Sequence, residues 1–351
     1  IFLSKDNYDE LHSDQDRVKK VKADVRWYTL KEQVVMPWLI AKERLDLVHF
    51  PHFNVPILTP TRFIVTIHDL ILTKFPTPRA TTLGPFLYRI KNWGYKVVIW
   101  SAIKRARRII AVSRFTKEDI VEQFRAPANK IEVTYEGVAD LSQGRDSRFV
   151  EKLDDRDALL SYNIDRDFFL YVGNAYPHKN LEYLLEVFRR FRERYPHIQL
   201  VLVGKEDYFY TRLKNEAQEL GLWQPEAENN AVVFAGYVDD RNLEILYRRA
   251  LAYVFPSLYE GFGLPPLEAM ARECPVLCSN RASMPEILGQ AAVYFDPEDR
   301  DQLEEKLEEV MSWKEDTRKE LIEKGEEQVK KYSWRECTEN TLNIYKKVLS
   351  E

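Results

Sequence analysis

Several features that define other protein classes are scarce in this sequence of 351 residues. No apolar run approaches the roughly 20 residues of a membrane-spanning helix. The first residues, IFLSKDNYDELH, lack the basic-then-apolar pattern of a signal peptide. The three cysteines, Cys274, Cys278 and Cys337, have no histidines at zinc-site spacing. We therefore expect reduced thiols and a cytoplasmic location.

An excess of positive charge is also absent. Lysine and arginine together number 52 and aspartate and glutamate 56, so the formal net charge is −4. This balance gives no overall attraction to nucleic acid, and no nucleic-acid partner is expected. With 45% hydrophobic and 31% charged residues, the chain has the composition of a globular protein, and its length fits two domains.

Glycine is missing from the start of the chain, since all twelve glycines lie at Gly84 or later. A nucleotide-binding α/β domain usually has glycine in the turn after its first strand, where the backbone approaches a ligand. Either that turn is built without glycine or the chain begins after it. We expect that the chain begins after this turn, because IFLSKD is typical of a strand that follows the first strand of such a domain.

The sequence does contain a regular alternation of short apolar runs and amphipathic stretches. Such runs are typical of strands buried on both faces of a parallel sheet, and the stretches between them fit crossover helices. The runs of the second half are at 168–172, 199–203, 231–235, 252–255, 275–278 and 292–295. Those of the first half are at 47–50, 63–67, 108–112 and 131–135.

This alternation predicts an α/β fold with two Rossmann-like, doubly wound domains facing each other across a cleft. The first domain is expected at 1–138, a polar linker or surface excursion at 139–166, and the second domain at 167–332. A last helix within 333–351, with Ser333 as its N-cap, is expected to return to the first domain. Its expected apolar side consists of Leu342, Ile344, Tyr345, Val348 and Leu349.

The segment 256–270, PSLYEGFGLPPLEAM, has the pattern of a ligand-binding loop. It follows a predicted strand, and in open parallel sheets ligands bind beyond the carboxyl ends of the strands. Gly261 and Gly263 permit close approach of the backbone to a ligand, while Pro265 and Pro266 fit the first turn of a helix. We expect the amides at this turn to bind an anion or hydroxyl oxygens.

Two carboxylates, Glu260 and Glu268, lie in the same segment. A carboxylate close to a phosphate would be repelled, so we expect their partners to be neutral hydroxyls, such as those of a sugar and a ribose. An isolated pair of acids at this spacing is usually a helix-capping residue and an exposed helical residue. The neighbouring glycines, prolines and strand favour the ligand-binding interpretation.

The sequence LYEGFGLPPLEAMA followed by PVLCSN resembles the donor-site signature of the retaining family-4 glycosyltransferases of the GT-B fold. The similarity extends over most of the chain, through VTIHDL (65–70), AVSRFTKEDI (111–120), YVGNAYPHKNLEYLLEVF (171–188) and VVFAGYV (232–238). HFPHFNVP (49–56) together with TIHDL resembles the branch that transfers mannose in bacterial and archaeal surface polysaccharides.

The resemblance implies a donor site in the second domain. Glu268 would bind the ribose diol and Glu260 the donor sugar. Lys179 would neutralise the diphosphate as the leaving group gains charge. The main chain would contribute near Tyr237 and Val238 for the base, and at Gly261, Phe262, Gly263 and Leu264 for the sugar or the diphosphate.

The first domain contributes further candidates. His68 and Asp69 follow a predicted strand, and the resemblance implies that His68 lies near the donor sugar; a histidine that only caps the strand is the alternative. Many relatives have an arginine shortly before the lysine that corresponds to Lys179, whereas residues 173–175 of this chain are Gly-Asn-Ala. Lys205 is the substitute candidate for this second cationic contact.

The resemblance implies a nucleotide-diphosphate sugar as the donor substrate, with GDP-mannose as the best candidate. No metal ion and no other cofactor is expected. Asp-x-Asp strings occur at 14–16, 155–157, 165–167 and 299–301, and three of them have arginine between the acids. A neighbouring cation competes with a divalent ion, so these strings are interpreted as local pairing.

From Arg79 to Lys117 the chain has ten basic residues and no acidic ones, interleaved with aromatic and aliphatic side chains. A helix near 85–106 with this composition suits an anionic membrane surface, and it equally suits a core-packed helix with a solvated basic face. The first interpretation would make the protein peripheral on the inner face of a membrane.

The expected activity is a retaining transfer of a hexose, with mannose as the best candidate, to a glycan or lipid-linked acceptor in surface polysaccharide synthesis. The resemblance implies that the acceptor hydroxyl attacks the face that the nucleotide leaves, with no protein nucleophile. Two alternatives are a sugar-nucleotide epimerase of the same fold and a non-catalytic, membrane-associated scaffold.

Overall fold

The computed structural model describes residues 1–10, 17–75, 85–138, 155–227 and 229–351. By packing, the chain divides into two units. The first unit consists of Ile1–Val112, Thr116–Thr134 and Glu339–Glu351, and the second of Ser113–Phe115 and Tyr135–Thr338. Part of the predicted linker, 139–154, lies outside the described residues.

The first unit has a two-stranded sheet, β1-β2, and a four-stranded parallel sheet in the order β3-β4-β5-β6. Its strands are β1 (Phe2–Leu3), β2 (Val21–Lys22), β3 (Val48–Phe50), β4 (Phe63–Ile67), β5 (Arg108–Ala111) and β6 (Ile131–Val133). The helices are α1 (Leu30–Glu43), α2 (Ile71–Lys74), α3 (Pro85–Arg105) and α4 (Arg114–Phe124).

The second unit has a six-stranded parallel sheet in the order β12-β11-β10-β7-β8-β9. Its strands are β7 (Phe168–Val172), β8 (Gln199–Val203), β9 (Val232–Gly236), β10 (Tyr253–Phe255), β11 (Val276–Ser279) and β12 (Ala292–Phe295). The helices that follow α4 are α5 (Asp155–Leu160), α6 (Leu181–Arg194), α7 (Tyr208–Glu219), α8 (Asp240–Arg249), α9 (Leu264–Met270), α10 (Met284–Leu288), α11 (Arg300–Met311), α12 (Glu315–Val329) and α13 (Trp334–Ser350).

Strand β4 is buried on both faces, as its continuous apolar sequence FIVTI predicts. Phe63, Val65 and Ile67 point into a core that includes residues of α3. Ile64 faces the other way and packs with Ile110 of β5 and with Ile344 and Val348 of α13. Successive side chains of a strand alternate between faces, so this one strand belongs to two cores.

Helix α13 begins after Ser333, whose hydroxyl accepts a hydrogen bond from the Glu336 amide at 3.2 Å, as predicted for an N-cap. Its residues from Glu339 onward belong to the first unit, where Ile344 and Val348 are buried. Leu342 and Leu349 were expected on the same apolar side, but they are 45% and 49% exposed. The buried stripe is therefore narrower than the sequence pattern suggested.

The ends of the units differ from the predicted domain ends. The second unit includes Tyr135 and the part of the predicted linker from 155 onward. There, Asp155 of α5 forms an ion pair with Arg248 of α8 at 3.1 Å, while Ala158 is buried. Helix α5 is mostly polar and buries only one small side chain, so its sequence lacks the apolar pattern of a core helix.

Within the part of the chain that the structure describes, no helix combines the length and the apolar character needed to cross a bilayer.

Candidate active site

Four of the predicted site residues follow four neighbouring strands. Lys179, Lys205, Val238 and Glu260 come after β7, β8, β9 and β10 respectively, and these strands are adjacent in the sheet. Because the strands are parallel, their carboxyl ends form one edge of the sheet, where ligands bind in open α/β folds. The four residues therefore follow strands that end at the same edge of one sheet.

Lys179 and Glu260 form a buried ion pair, with 2.6 Å between Lys179 Nζ and Glu260 Oε1. Each residue is only 8% exposed. The lysine Nζ also lies 5.1 Å from the centre of the Phe255 ring. Sequence reasoning gave these two residues separate partners and missed their contact, although their strands, β7 and β10, are neighbours in the sheet.

Lys179 is held by a short 3₁₀ turn, Pro177–Lys179. The carbonyl of His178 accepts a hydrogen bond from the Leu258 amide at 2.8 Å, which ties this turn to the loop before Glu260. Burial, together with the charge of Lys179, lowers the pKa of His178 to about 3. The His178 imidazole is therefore neutral near pH 7 and adds no charge to the site.

The turn before α9 requires glycine at position 263. Gly263 has a φ of +103°, and a Cβ added there would lie 2.3 Å from the Met284 side chain. Pro265 and Pro266 lie in the first turn of α9, as predicted, where no helical amide hydrogen bond is lost. A residue with a side chain would not easily adopt this backbone conformation at position 263. The Glu260–Leu264 segment is called the glycine loop below.

Glu268 lies in the second turn of α9 and is partly buried. Burial raises the pKa of its carboxyl group, and the nearby Arg272 guanidinium opposes this effect. Arg272 Nη1 donates to the Glu268 carbonyl at 3.1 Å. The carboxylate thus has a neighbouring cation, and its proposed binding of the ribose remains a prediction.

The two remaining predicted contacts of the second unit differ in exposure. Lys205 is exposed just beyond β8, so its ammonium group is open to solvent. Val238 is buried, whereas the preceding Tyr237 is 81% exposed. An exposed ring next to the predicted base site is a surface on which a base could stack.

Sequence reasoning missed two buried serines that contact the glycine loop. Ser283 Oγ lies 3.0 Å from the carbonyl oxygens of both Glu260 and Phe262. Ser113 Oγ donates to the carbonyl of Gly261 at 2.6 Å. Both serines follow the carboxyl ends of strands, β5 for Ser113 and β11 for Ser283, and that position was the available signal.

The Ser113–Phe115 segment packs with the second unit, although it directly follows β5 of the first sheet. Glu286 of α10 holds it, since its carboxylate accepts hydrogen bonds from the amides of Arg114 and Phe115 at 2.8 and 2.9 Å. The same carboxylate accepts from the Tyr135 hydroxyl at 2.9 Å. Glu286 was not singled out from the sequence.

In the first unit, His68 and Asp69 lie at the carboxyl end of β4, as predicted. His68 Nε2 is 2.8 Å from the Pro51 carbonyl, and its ring stacks 6.3 Å from that of His52. Asp69 Oδ1 accepts from the Ile71 amide at 2.9 Å, at the start of α2. These contacts fit a structural role, and the role of His68 beside the donor sugar remains a prediction.

The Asp-x-Asp strings have local partners where the structure describes them. Asp155 pairs with Arg248 and Asp301 with Arg190, while Asp299 Oδ1 caps α11 by accepting from the amides of Asp301 and Gln302. The string at 14–16 lies outside the described residues. Among the residues described, no three His, Cys, Asp or Glu side chains are grouped as a metal site would require.

Comparison with known proteins identifies the family. Residues 156–328 match the family described as Glycosyl transferases group 1, and residues 7–140 match Glycosyltransferase Family 4. The O-antigen chain mannosyltransferase B of Escherichia coli is 31% identical over 315 residues, which are 88% of this chain and 76% of that protein. The O-antigen chain mannosyltransferase RfbU of Salmonella typhimurium is 28% identical over 276 residues, 78% of this chain and 67% of that protein.

Solved structures show the same fold. Sucrose-phosphate synthase from Thermosynechococcus elongatus superposes with a TM-score of 0.69 at 20% identity, covering 91% of this chain and 78% of that one. Anabaena Alr3699/HepE, solved with UDP and glucose, superposes with a TM-score of 0.67 at 15% identity, covering 93% and 85%. The predicted GT-B fold class is confirmed.

Fold and sequence relatives together define a glycosyltransferase with the GT-B architecture. The chain belongs to glycosyltransferase family 4, and its relatives include mannosyltransferases of O-antigen synthesis.

Proposed function

We propose that this glycosyltransferase moves mannose from GDP-mannose to a glycan or lipid-linked acceptor during surface polysaccharide synthesis, with retention of the anomeric configuration and without a metal ion. The names of the relatives support mannose as the sugar and surface polysaccharide synthesis as the pathway, since two relatives are O-antigen chain mannosyltransferases. A structural neighbour was solved with UDP and glucose, which supports a nucleotide-sugar donor.

The observation that carries the proposal is the Lys179–Glu260 pair at the carboxyl ends of neighbouring strands. A buried ammonium is a costly feature that is retained where a negative charge has to be bound. In the proposed reaction the diphosphate leaves with growing negative charge, and Lys179 stabilises that charge. Glu260, released from the lysine, accepts a hydrogen bond from a donor-sugar hydroxyl.

The other site residues have complementary roles. The amides of the glycine loop bind the sugar or the diphosphate, Glu268 binds the ribose diol, and the main chain at Val238 contacts the base. Lys205, which is exposed, gives the diphosphate a second cation when it closes on the ligand. The acceptor hydroxyl attacks from the face that the diphosphate leaves, and the diphosphate itself takes the proton.

A thermal-shift panel of nucleoside diphosphates and nucleotide sugars tests the donor. A ligand present at 100 times its Kd stabilises a protein by about 2.7 kcal/mol, which shifts the melting temperature measurably. GDP and GDP-mannose are expected to give the largest shifts, with UDP and UDP-glucose as matched controls. Larger melting-temperature shifts with UDP and UDP-glucose would contradict guanine as the base of the donor.

The alternative activities give different products. An epimerase would change the sugar of the donor without any acceptor, and a scaffold would bind no nucleotide. Incubation of the enzyme with GDP-mannose alone, followed by analysis of the sugar, is expected to return mannose. A changed sugar would favour the epimerase, and a panel without a single shift would favour the scaffold.

A second proposal concerns the surface of α3, which we propose to bind anionic lipid. Trp93 and Trp100 are 70% and 53% exposed, and Lys104 Nζ lies 5.6 Å from the centre of the Trp100 ring. Exposed tryptophan beside lysine suits the headgroup region of an anionic bilayer. Ile99 and Ile103, on an adjacent side of α3, pack into the core. The helix therefore has a core-packed side and an exposed basic and aromatic side. The stretch from Arg79 to Gly84 lies outside the described residues.

A further inference from the structure

Three successive carbonyl groups of the glycine loop are held by buried hydroxyls. Ser283 Oγ is 3.0 Å from the carbonyl oxygens of Glu260 and Phe262, and Ser113 Oγ is 2.6 Å from that of Gly261. Both serine side chains belong to residues with no solvent exposure. A buried carbonyl that loses its donor costs free energy, so these hydroxyls fix the directions of the three carbonyls.

Fixing a carbonyl also fixes the next amide. The peptide group is planar and trans, so the C=O of one residue and the N–H of the following residue point in opposite directions. The hydroxyl on the Glu260 carbonyl therefore sets the direction of the Gly261 amide. In the same way, the hydroxyls on the carbonyls of Gly261 and Phe262 set the amides of Phe262 and Gly263.

One short helix holds both serines. Ser283 directly precedes α10, and its carbonyl accepts a hydrogen bond from the Ile287 amide at 3.0 Å. Glu286, within α10, binds the amides of Arg114 and Phe115, the two residues that follow Ser113. The serines are therefore anchored to the same element, one directly and the other through a carboxylate.

We propose that Ser283 and Ser113 are positioning residues that direct the amides of Gly261, Phe262 and Gly263 toward the donor. Neither serine has to touch the donor for this purpose. The inference rests on the proposed function, because it assigns the directed amides to donor binding. It goes beyond that function by placing part of the specificity for the donor in two hydroxyl groups outside the binding loop.

The test uses four variants of the full chain. Ser283→Ala and Ser113→Ala remove the two positioning hydroxyls. Thr59→Val is a matched control for a lost buried bond, since the Thr59 hydroxyl donates to the Pro56 carbonyl at 2.7 Å, in the first unit. Thr134→Val is a matched control for the loss of a buried hydroxyl alone, because the Thr134 hydroxyl has no hydrogen-bond partner among the described residues.

Two measurements are made on each variant. Hydrogen–deuterium exchange of peptides covering 260–266, without any ligand, reports how firmly the amides are held. Donor kcat/KM reports their use in the reaction. We expect Ser283→Ala and Ser113→Ala to exchange at least tenfold faster over 260–266 and to lose at least tenfold in kcat/KM. Both controls should stay within about twofold of the wild type in each measurement.

The outcomes separate the inference from the proposed function. If the wild type turns over GDP-mannose and Thr59→Val loses as much kcat/KM as Ser283→Ala, the serines only stabilise the fold and the inference is wrong. Unchanged exchange in both positioning variants would also overturn it. If the wild type neither binds nor turns over any nucleotide sugar, the proposed function is wrong, whatever the exchange experiment shows about the loop.

Discussion

The two units place their polar and apolar side chains differently. In the second unit, Lys179, Glu260 and Ser283 are buried and hydrogen-bonded at one edge of the sheet. In the first unit, large apolar side chains such as Leu30, Trp38, Leu58, Trp93 and Trp100 are more than half exposed. Buried polar groups need exact partners and so define a site, whereas exposed apolar groups mark surfaces that bind other molecules. We therefore look for chemistry in the second unit and for contact surfaces in the first.

The largest expected effect is a loss of turnover in the second unit when the Lys179–Glu260 ion pair is broken. Glu260→Gln should lower turnover by about 10²-fold or more, because a sugar contact that tightens as the glycosidic bond breaks acts on the transition state. The same change frees Lys179, so the affinity for the nucleoside diphosphate should be equal to that of the wild type or higher. Steady-state transfer rates and calorimetric titration measure the two effects.

Glu268→Gln is the matched control for the ion-pair variant. It keeps the side-chain shape and removes the charged acceptor for the ribose, so nucleoside diphosphate and nucleotide sugar should both bind more weakly, by about 1.5–3 kcal/mol. An equal loss of diphosphate affinity in Glu260→Gln and Glu268→Gln would show that the two roles are wrongly assigned. Unchanged turnover in Glu260→Gln would remove that residue from the site.

The next effect concerns stability within the second unit. Glu286→Ala removes the acceptor for two amides and the Tyr135 hydroxyl, and should lower the free energy of unfolding by about 2–3 kcal/mol. Glu298→Ala, which removes an exposed ion pair with Arg281, should cost less than about 1 kcal/mol. Urea unfolding measures both. Equal losses would show that the Ser113–Phe115 segment needs no anchor.

A smaller effect concerns the acid sensitivity of the first unit. Burial and the nearby His68 lower the pKa of His49, in the first unit, to about 4. The unfolded chain takes up this proton near pH 6.5, so the stabilising contribution is complete above that pH and is lost as the pH falls toward 4. At pH 5 the loss should be about 1–2 kcal/mol.

His49→Gln should remove this part of the pH dependence, because glutamine can still bond to Tyr345 or Thr66 and does not titrate. His197→Gln, at an exposed position of the second unit, is the matched control. The measurement is the urea midpoint at pH 7.5 and pH 5. A wild-type slope that persists in His49→Gln would assign the acid sensitivity to other groups.

The smallest expected effect tests the exposed surface of the first unit. Each lysine near an anionic bilayer contributes about 1 kcal/mol, so Lys104→Gln should weaken binding to anionic vesicles about fivefold, and salt should weaken it further. Lys319→Gln, on α12 of the second unit, should have no effect. Cosedimentation with anionic and neutral vesicles is the measurement. Equal binding to both kinds of vesicle would reject the lipid proposal.

Much of the fold followed from the sequence because its signals are local. The apolar runs at 63–67, 168–172 and 199–203 coincide with β4, β7 and β8, and the paired prolines begin α9 as expected. Strand β1 lies within IFLSKD, which was predicted to be a strand, whereas β2 was missed because two residues are too few to show a period. Periodicity also reports only that a face is apolar, so it could not show that Leu349 is exposed.

The candidate site was predicted from the sequence as a set of residues, and the structure adds contacts between them that the sequence did not predict. Glycines, prolines and strand ends pointed to Glu260, Glu268 and Lys179. The Lys179–Glu260 pair depends on β7 lying beside β10, and no local pattern in the sequence predicts this strand order. The same is true of Ser113, which reaches the Gly261 carbonyl from a residue 148 positions away in the chain.

The two-sided packing of β4 has a consequence for how the protein is made. Ile64 and Ile110 are covered by Ile344 and Val348, so a core begun by the early strands needs residues that the ribosome adds much later. At 5–20 residues per second, the chain of about 230 residues between Ile110 and Ile344 takes roughly 12–47 s to synthesise. During that interval one face of the first sheet is uncovered, and the nascent chain is then most exposed to aggregation or chaperone binding. The first unit to be synthesised is therefore the last to be completed.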